Sequence, residues 1–425
     1  MTGTLVLPGR AGVPVRPVRP VRPVQVGETH HVTSLELYFD LAYVFAFTQV
    51  SRLMALHHDP VGIVQGVAVL ALLWWSWTAF GWLSNLAHAD EGLVRVATVV
   101  AMAGIVVAGL TVPEAFDDAE GGLAGPLVFV VAYLVARGAH AVVCVVAAAD
   151  EPASRLRVAA TVLVPQLPAA VLLVAGAVVG SPWQLWCVLA AVVTEPVGSW
   201  LLARAAEWRV HSAGHFAERY RLVVVLALGE SVVAIGVGVA AEPVSGPILT
   251  GVLLAFGISV AMWWAYFARL AGPAEHVLAA ARGGRQARVA LDGYTYLHLV
   301  LVTGVVVAAL GVETAMAHVE SAEPLGAFGG AALGGGVATY LLGSALIARR
   351  VLGEWRVLRL GGAVAASGGI AVVAGLTPVA ALAAIGGLLV VLLVAEWVAP
   401  LAWGREPRAF PLRSAYPQAL FAHSS

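Results

Sequence analysis

Apolar runs of about twenty residues, separated by short polar stretches, follow one another along almost the whole chain. A helix crossing the hydrocarbon core of a bilayer needs about 20 mostly apolar residues. Such runs lie near residues 35–56, 61–83, 93–112, 123–149, 156–179, 183–204, 215–240, 246–270, 289–312, 325–349, 356–376 and 379–400. The pattern predicts an all-α fold, a polytopic transmembrane helix bundle of about twelve spans. Residues 1–33 read as a disordered Arg/Pro-rich tail, 34–204 as a first six-helix half, 205–403 as a second half, and 404–425 as a C-terminal tail. In the first tail Arg-Pro-Val recurs between Arg16 and Val24, and proline at that density favours an extended chain.

Composition agrees: 60% of residues are hydrophobic and 12% charged, with a mean hydropathy of +0.88. A soluble protein of this length does not need such a balance. No apolar stretch precedes the first span, so that span is expected to act as the targeting signal. The 24 basic residues are all arginine. They gather in the N-terminal tail, near Arg95, at Arg155 and Arg157, from Arg204 to Arg221, from Arg269 to Arg288, from Arg349 to Arg359, and in the C-terminal tail. With twelve spans all these segments fall on one side. The other side carries Asp59, Glu114, Asp117, Asp118, Glu120, Glu242, Glu320 and Glu323. The positive-inside rule then puts both termini in the cytoplasm of a bacterial plasma membrane. Arg52 and Arg137, within or at the edge of spans, do not fit this alternation.

The two halves repeat faintly. Gly104 to Ala115 aligns with Gly304 to Ala315 at seven identical positions of twelve. Trp74-Trp75 answers Trp263-Trp264, Glu36-Leu37-Tyr38 answers Glu218-Arg219-Tyr220, and Tyr133-Leu134 answers Tyr340-Leu341. Four matches in one order predict two parallel six-helix repeats, since an even number of spans preserves orientation. This alignment sets Thr48-Gln49 opposite Glu230-Ser231.

Charged residues inside the runs are the candidate chemistry. Glu230 lies about twelve residues into an apolar run, and a carboxylate at bilayer depth costs roughly 2.5–3.5 kcal/mol on insertion scales. Its cationic partner is sought on another helix: Arg137 with His140, or His298. Arg219, on the same helix face, is roughly 16 Å away along the axis. Glu36 and Asp40, one turn apart, continue into a stripe of Tyr43, Phe47 and Ser51. Two carboxylates so close in a low dielectric imply a proton on one of them or a cation beside them. An ion pair with a boundary arginine, an ion or proton site, and exposure among headgroups all remain open. His215, Glu218 and Arg219 begin the seventh run. Glu195-Pro196 places another carboxylate mid-helix, with a backbone carbonyl freed by the proline. Gln49 and Ser231 complete the candidate set. Asp292 is expected to cap the ninth helix. Trp74, Trp75 and Trp77 are expected to be packing or interfacial aromatics, and Cys144 and Cys187 small core residues.

Leu35-Glu36-Leu37-Tyr38-Phe39-Asp40 through Ser51 resembles the N-terminal signature of the low temperature requirement A (LtrA) family. His215-Phe216-Ala217-Glu218-Arg219-Tyr220 through Gly229-Glu230-Ser231 resembles its central signature, and Tyr296-Leu297-His298 through Glu313 is similar to a third. The resemblance implies a multi-pass bacterial membrane protein linked by name to growth in the cold, with no established substrate or reaction. No catalytic residue carries over.

No phosphate loop, nucleophile elbow or zinc spacing is present in the sequence. The expected partners are the lipid bilayer and a proton, cation or small-molecule substrate, with no cofactor, no metal and no nucleic acid. The leading expectation is a proton- or cation-coupled transporter or ion-conducting protein. A membrane enzyme acting on lipid and a non-catalytic sensor or assembly factor are the alternatives.

Overall fold

The computed structural model describes residues 32–85, 92–147, 152–205, 210–240 and 242–402. The two tails expected at 1–33 and 404–425 lie almost wholly outside the described residues, as do His88 and Arg209. Among the described residues there is no strand. The chain runs as α1 (Ser34–His57), α2 (Pro60–Ser84), α3 (Gly92–Glu114), α4 (Gly125–Ala147), α5 (Pro152–Val179), α6 (Trp183–Ala205), α7 (Ala213–Gly238), α8 (Gly246–Ala280), α9 (Gly283–Ala317), α10 (Gly326–Leu352), α11 (Val357–Gly368, resumed at Ile370–Gly375) and α12 (Pro378–Ala402). Ten of these are long and apolar enough to cross a membrane. The others are α1, which carries Glu36, Asp40 and Arg52, and α11, which is interrupted at Gly369.

The starts follow from capping chemistry. Thr33 and Glu36 form a reciprocal capping box at α1. Asp59 accepts from Gly62 N at the head of α2, with Pro60 at its first position. Ser212 and Ser245 cap α7 and α8 through their hydroxyls. Gly353, in the left-handed region at φ 76°, ends α10.

Helices α8 and α9 extend past their apolar runs. Each passes through a wide, π-type stretch, Phe267–Ala271 in α8 and Val289–Tyr296 in α9. Asp292 therefore lies inside α9 and caps nothing, contrary to expectation. Its carboxylate binds Arg350 Nε at 2.9 Å and also meets Nη2 of the same guanidinium.

Neighbouring helices pack in chain order, with two closing contacts. Helix α1 packs on α2 and α3, α3 on α4, α4 on α5, α5 on α6, and α6 back on α2. Helix α7 packs on α8 and α9, α9 on α10, α10 on α11, α11 on α12, and α12 back on α8. Helices α1 and α2 contact α7 and α9 and so join these two sets. The most enclosed helices are α9 and α10. A Cβ on Gly304 would collide with Tyr340 N, and one on Gly336 with Ala308 N, so the two backbones touch where only glycine fits. Helices α5 and α6 instead turn Val164, Leu167, Val171, Trp186 and Val193 outward, as a lipid-facing surface requires.

Candidate functional site

The seam between α1 and α7 collects most of the candidate residues. At one end, four groups from the two helices meet. Arg219 donates through Nη1 to Glu36 Oε1 at 2.8 Å and through Nη2 to Asp40 Oδ1 at 2.7 Å. His215 Nε2 lies 3.2 Å from Glu36 Oε1. From α2, Trp77 Nε1 donates to Asp40 Oδ1 at 2.8 Å, and its ring lies under the Arg219 guanidinium at 5.6 Å. Glu36, Asp40, His215 and Arg219 are all at most 2% exposed. Of the options open for the two carboxylates, the structure shows the ion pair, with the cation coming from α7. It is sealed in the bundle. A cavity of about 10 Å³, room for roughly one water, adjoins it between Glu36, Ser84, Thr98 and Arg219.

Two to three turns further along the same seam lies Glu230, 2% exposed. The expected cationic partners are elsewhere. Arg137 binds Glu195 through a buried contact between α4 and α6. His298 Nδ1 bonds Gly293 O at 2.9 Å, and its Nε2 bonds Tyr266 Oη at 2.8 Å. A carbonyl only accepts, so Nδ1 carries the hydrogen and Nε2 receives the tyrosine proton. That imidazole is fully engaged. Glu230 meets Thr48 of α1 instead, with Thr48 Oγ1 donating to Oε2 at 2.7 Å. This is the residue the repeat alignment placed opposite it. The Ser51 hydroxyl lies beside the same carboxyl.

Glu36, Asp40, His215 and Arg219 thus form one group, Glu230 with Thr48 a second, and Arg137 with Glu195 a third. His298 belongs to an aromatic network on the wide stretch of α9. There Tyr220 Oη and Trp82 Nε1 both meet Thr295 Oγ1 at 3.0 Å, and Trp74 Nε1 donates to Thr295 O at 2.8 Å. Trp74 and Trp77 are therefore hydrogen-bond donors as well as packing residues. Ser231 is buried, Gln49 and Glu218 are half-buried, and none of the three joins these groups. Beside Glu195, Tyr296 Oη donates at 2.8 Å to the carbonyl of Pro196 itself. The oxygen that Pro196 leaves without its helical donor is that of Val192, four residues back. A further buried pair escaped the sequence reading. Arg359 of α11 holds Glu396 of α12 through Nε at 2.7 Å and Nη2 at 3.1 Å, and also donates to Ala265 O at 2.8 Å. The signal was available: both charges fall inside predicted spans.

A polytopic helical bundle with charges paired between its helices, and ten helices fit to cross a bilayer, defines a multi-pass membrane protein. The chain belongs to the bacterial low temperature requirement A protein (LtrA) family, whose profile matches residues 31–395. It is also 27% identical over 298 residues to the uncharacterized protein RA0937 of Rhizobium meliloti (strain 1021), a match covering 67% of this chain and 69% of that protein. No solved structure matches it.

Proposed function

We propose that this protein is a proton- or cation-coupled transporter or ion-conducting protein of the bacterial plasma membrane. In this reading it has twelve spans, both termini in the cytoplasm, and two parallel six-helix repeats. The working group is Glu230 on the α1–α7 seam, and Glu36, Asp40, His215 and Arg219 fix the register of the two helices around it.

The observation that carries the reading is an asymmetry among buried carboxylates. Glu36 and Asp40 share Arg219, Glu195 has Arg137, and Glu396 has Arg359. Glu230 is as buried as these, yet it is met by a hydroxyl rather than an arginine. An ionised carboxylate in hydrocarbon without a cation is costly, and a proton or a visiting cation removes that cost. Thr48 suits such exchange. Its Oγ1 reaches both Glu230 Oε2 and, at 3.1 Å, Val44 O. A threonine has one hydroxyl proton. It can serve the carboxylate when Glu230 is charged, and Val44 when Glu230 brings a proton of its own. Both states are hydrogen-bonded.

The repeat draws support from three places. Thr48 and Glu230 touch at the offset given by the sequence alignment, as expected where two equivalent helices meet on a two-fold axis. A Cβ on Gly104 would face Ala132 O and Ala136 N, and one on Gly304 would face Gly336 O and Tyr340 N. These equivalences differ by one helical turn from the Tyr133–Tyr340 match. Glu195 of α6 and Glu396 of α12 each end their half with an arginine-paired carboxylate.

In proteoliposomes under an imposed pH gradient, the Glu230→Gln protein is expected to lose the pH-dependent flux of the wild type. Unchanged flux from an equal amount of folded protein would overturn the proposal.

A further inference from the structure

We infer that the cavity beside Arg219 is a binding site for a single water molecule, and that this water ties α2 and α3 to the ion-paired group on α1 and α7. The site does not depend on the role proposed for Glu230. Its volume of about 10 Å³ is the room of roughly one water. Cavities that stay dry are lined by apolar groups. This one draws a polar side chain from each of four helices: Glu36 of α1, Ser84 of α2, Thr98 of α3 and Arg219 of α7. Phe39, Phe80, Leu83 and Val94 close the rest of the wall.

Arg219 is the independent sign of a ligand. It is 1% exposed, and both terminal nitrogens are engaged on α1, Nη1 with Glu36 and Nη2 with Asp40. Its Nε is buried and has no hydrogen-bond partner among the described residues. A guanidinium N–H can only donate, and one left buried and unmet is costly. Nε is therefore the donor that Arg219 offers to the cavity it lines.

The two hydroxyls define what the ligand must offer in return. Ser84 Oγ donates to Gly81 O at 3.2 Å, and Thr98 Oγ1 donates to Val94 O at 2.8 Å. A hydroxyl has one proton, so both have only lone pairs left. Glu36 adds its carboxylate oxygens. The walls thus present an N–H to a group that accepts, and several oxygens to a group that donates. Water does both. A cation cannot accept from Nε and would lie against the guanidinium. An anion would face a carboxylate and two hydroxyls whose protons are already committed. With water in place, Arg219 is linked to α1, α2 and α3 at once. Ser84 and Thr98 become positioning residues for the pairs that Arg219 makes with Glu36 and Asp40.

The test is solid-state NMR of the full-length protein in lipid vesicles, following through-space transfer of magnetisation from water protons to the Arg219 Nε–H. Glu218-Arg219 is the one Glu-Arg step in the sequence, so carbonyl-labelled glutamate with uniformly labelled arginine singles that residue out. The wild type is expected to show the transfer. The double variant Ser84→Ala with Thr98→Val lacks both hydroxyls, and in it the transfer should be lost and the Nε resonance displaced. Thr98→Ser keeps a hydroxyl and should keep the transfer. Thermal unfolding of each variant establishes that it is folded. A folded double variant with undiminished transfer overturns the site. So does a wild-type protein in which no water magnetisation reaches Nε, a result that needs no variant.

Discussion

A buried ion pair is weak evidence of net stability, but breaking one from a single side leaves an uncompensated charge in oil, costing about 3–5 kcal/mol. Arg359 and Glu396 give a clean case, because their guanidinium and carboxylate meet through two bonds at the α11–α12 contact. Arg359→Met alone should sharply lower the unfolding midpoint in detergent. The double variant Arg359→Met with Glu396→Leu should recover most of the loss. Additive losses in that cycle would show that the pair does not act as a unit. Single residues are also where the sequence was least legible. It marked Glu36, Asp40, His215, Arg219 and Glu230 as charges needing partners, and each is buried. It could not say who meets whom, because Glu36 and Arg219 lie 183 positions apart and meet only once α1 and α7 pack. Buried charge ordinarily attracts opposite charge, which predicts an arginine beside Glu230. The structure gives the arginines to other carboxylates and gives Glu230 a hydroxyl.

Helices were legible because hydropathy is a local property, and helix boundaries fall within a few residues of the apolar runs except in α8 and α9. There the helix continues past the apolar run, from Gly272 to Ala280 around Glu275 and His276 and from Gly283 to Arg288 through two arginines and a glutamine. The glycine contacts between α9 and α10 were illegible for another reason: nothing local tells a glycine in contact from one facing open space. Gly335 and Gly336 are neighbours in α10, yet an added Cβ meets nothing within 4 Å at the first and the backbone of Ala308 at the second. Gly336→Ala should force the two helices apart and cost about 1–3 kcal/mol by overpacking. Gly335→Ala should be neutral, or stabilise by up to about 1 kcal/mol through helix propensity. Thermal unfolding followed by tryptophan fluorescence compares them, and equal shifts would refute the close approach.

At the scale of the whole molecule, the proposed mechanism needs α1 and α7 to lie parallel, so that equivalent depths face each other across the seam. That in turn requires charged α1 to cross the bilayer, and a second half of six spans requires broken α11 to cross it too. These are the two helices that hydropathy and length do not select, so crossing has to come from packing: α1 is held by α2, α3 and α7, and α11 by α10 and α12. If both cross, the arginine-rich connections share one face with the N-terminal tail. Single cysteines at Gly27, Gly122, Gly284, Ala322, Glu354 and Thr377, in a background carrying Cys144→Ala and Cys187→Ala, decide the matter with a membrane-impermeant maleimide. In intact spheroplasts the cysteines at 122, 322 and 377 should label. Those at 27, 284 and 354 should label only after lysis. Labelling at 27 in intact cells would mean that α1 stays on one side, and protection at 377 would mean the same for α11. Either result leaves an odd number of crossings between the tails: the first removes the parallel approach of α1 and α7 on which the pairing of Thr48 with Glu230 across a two-fold axis depends, and the second removes the sixth span of the second repeat.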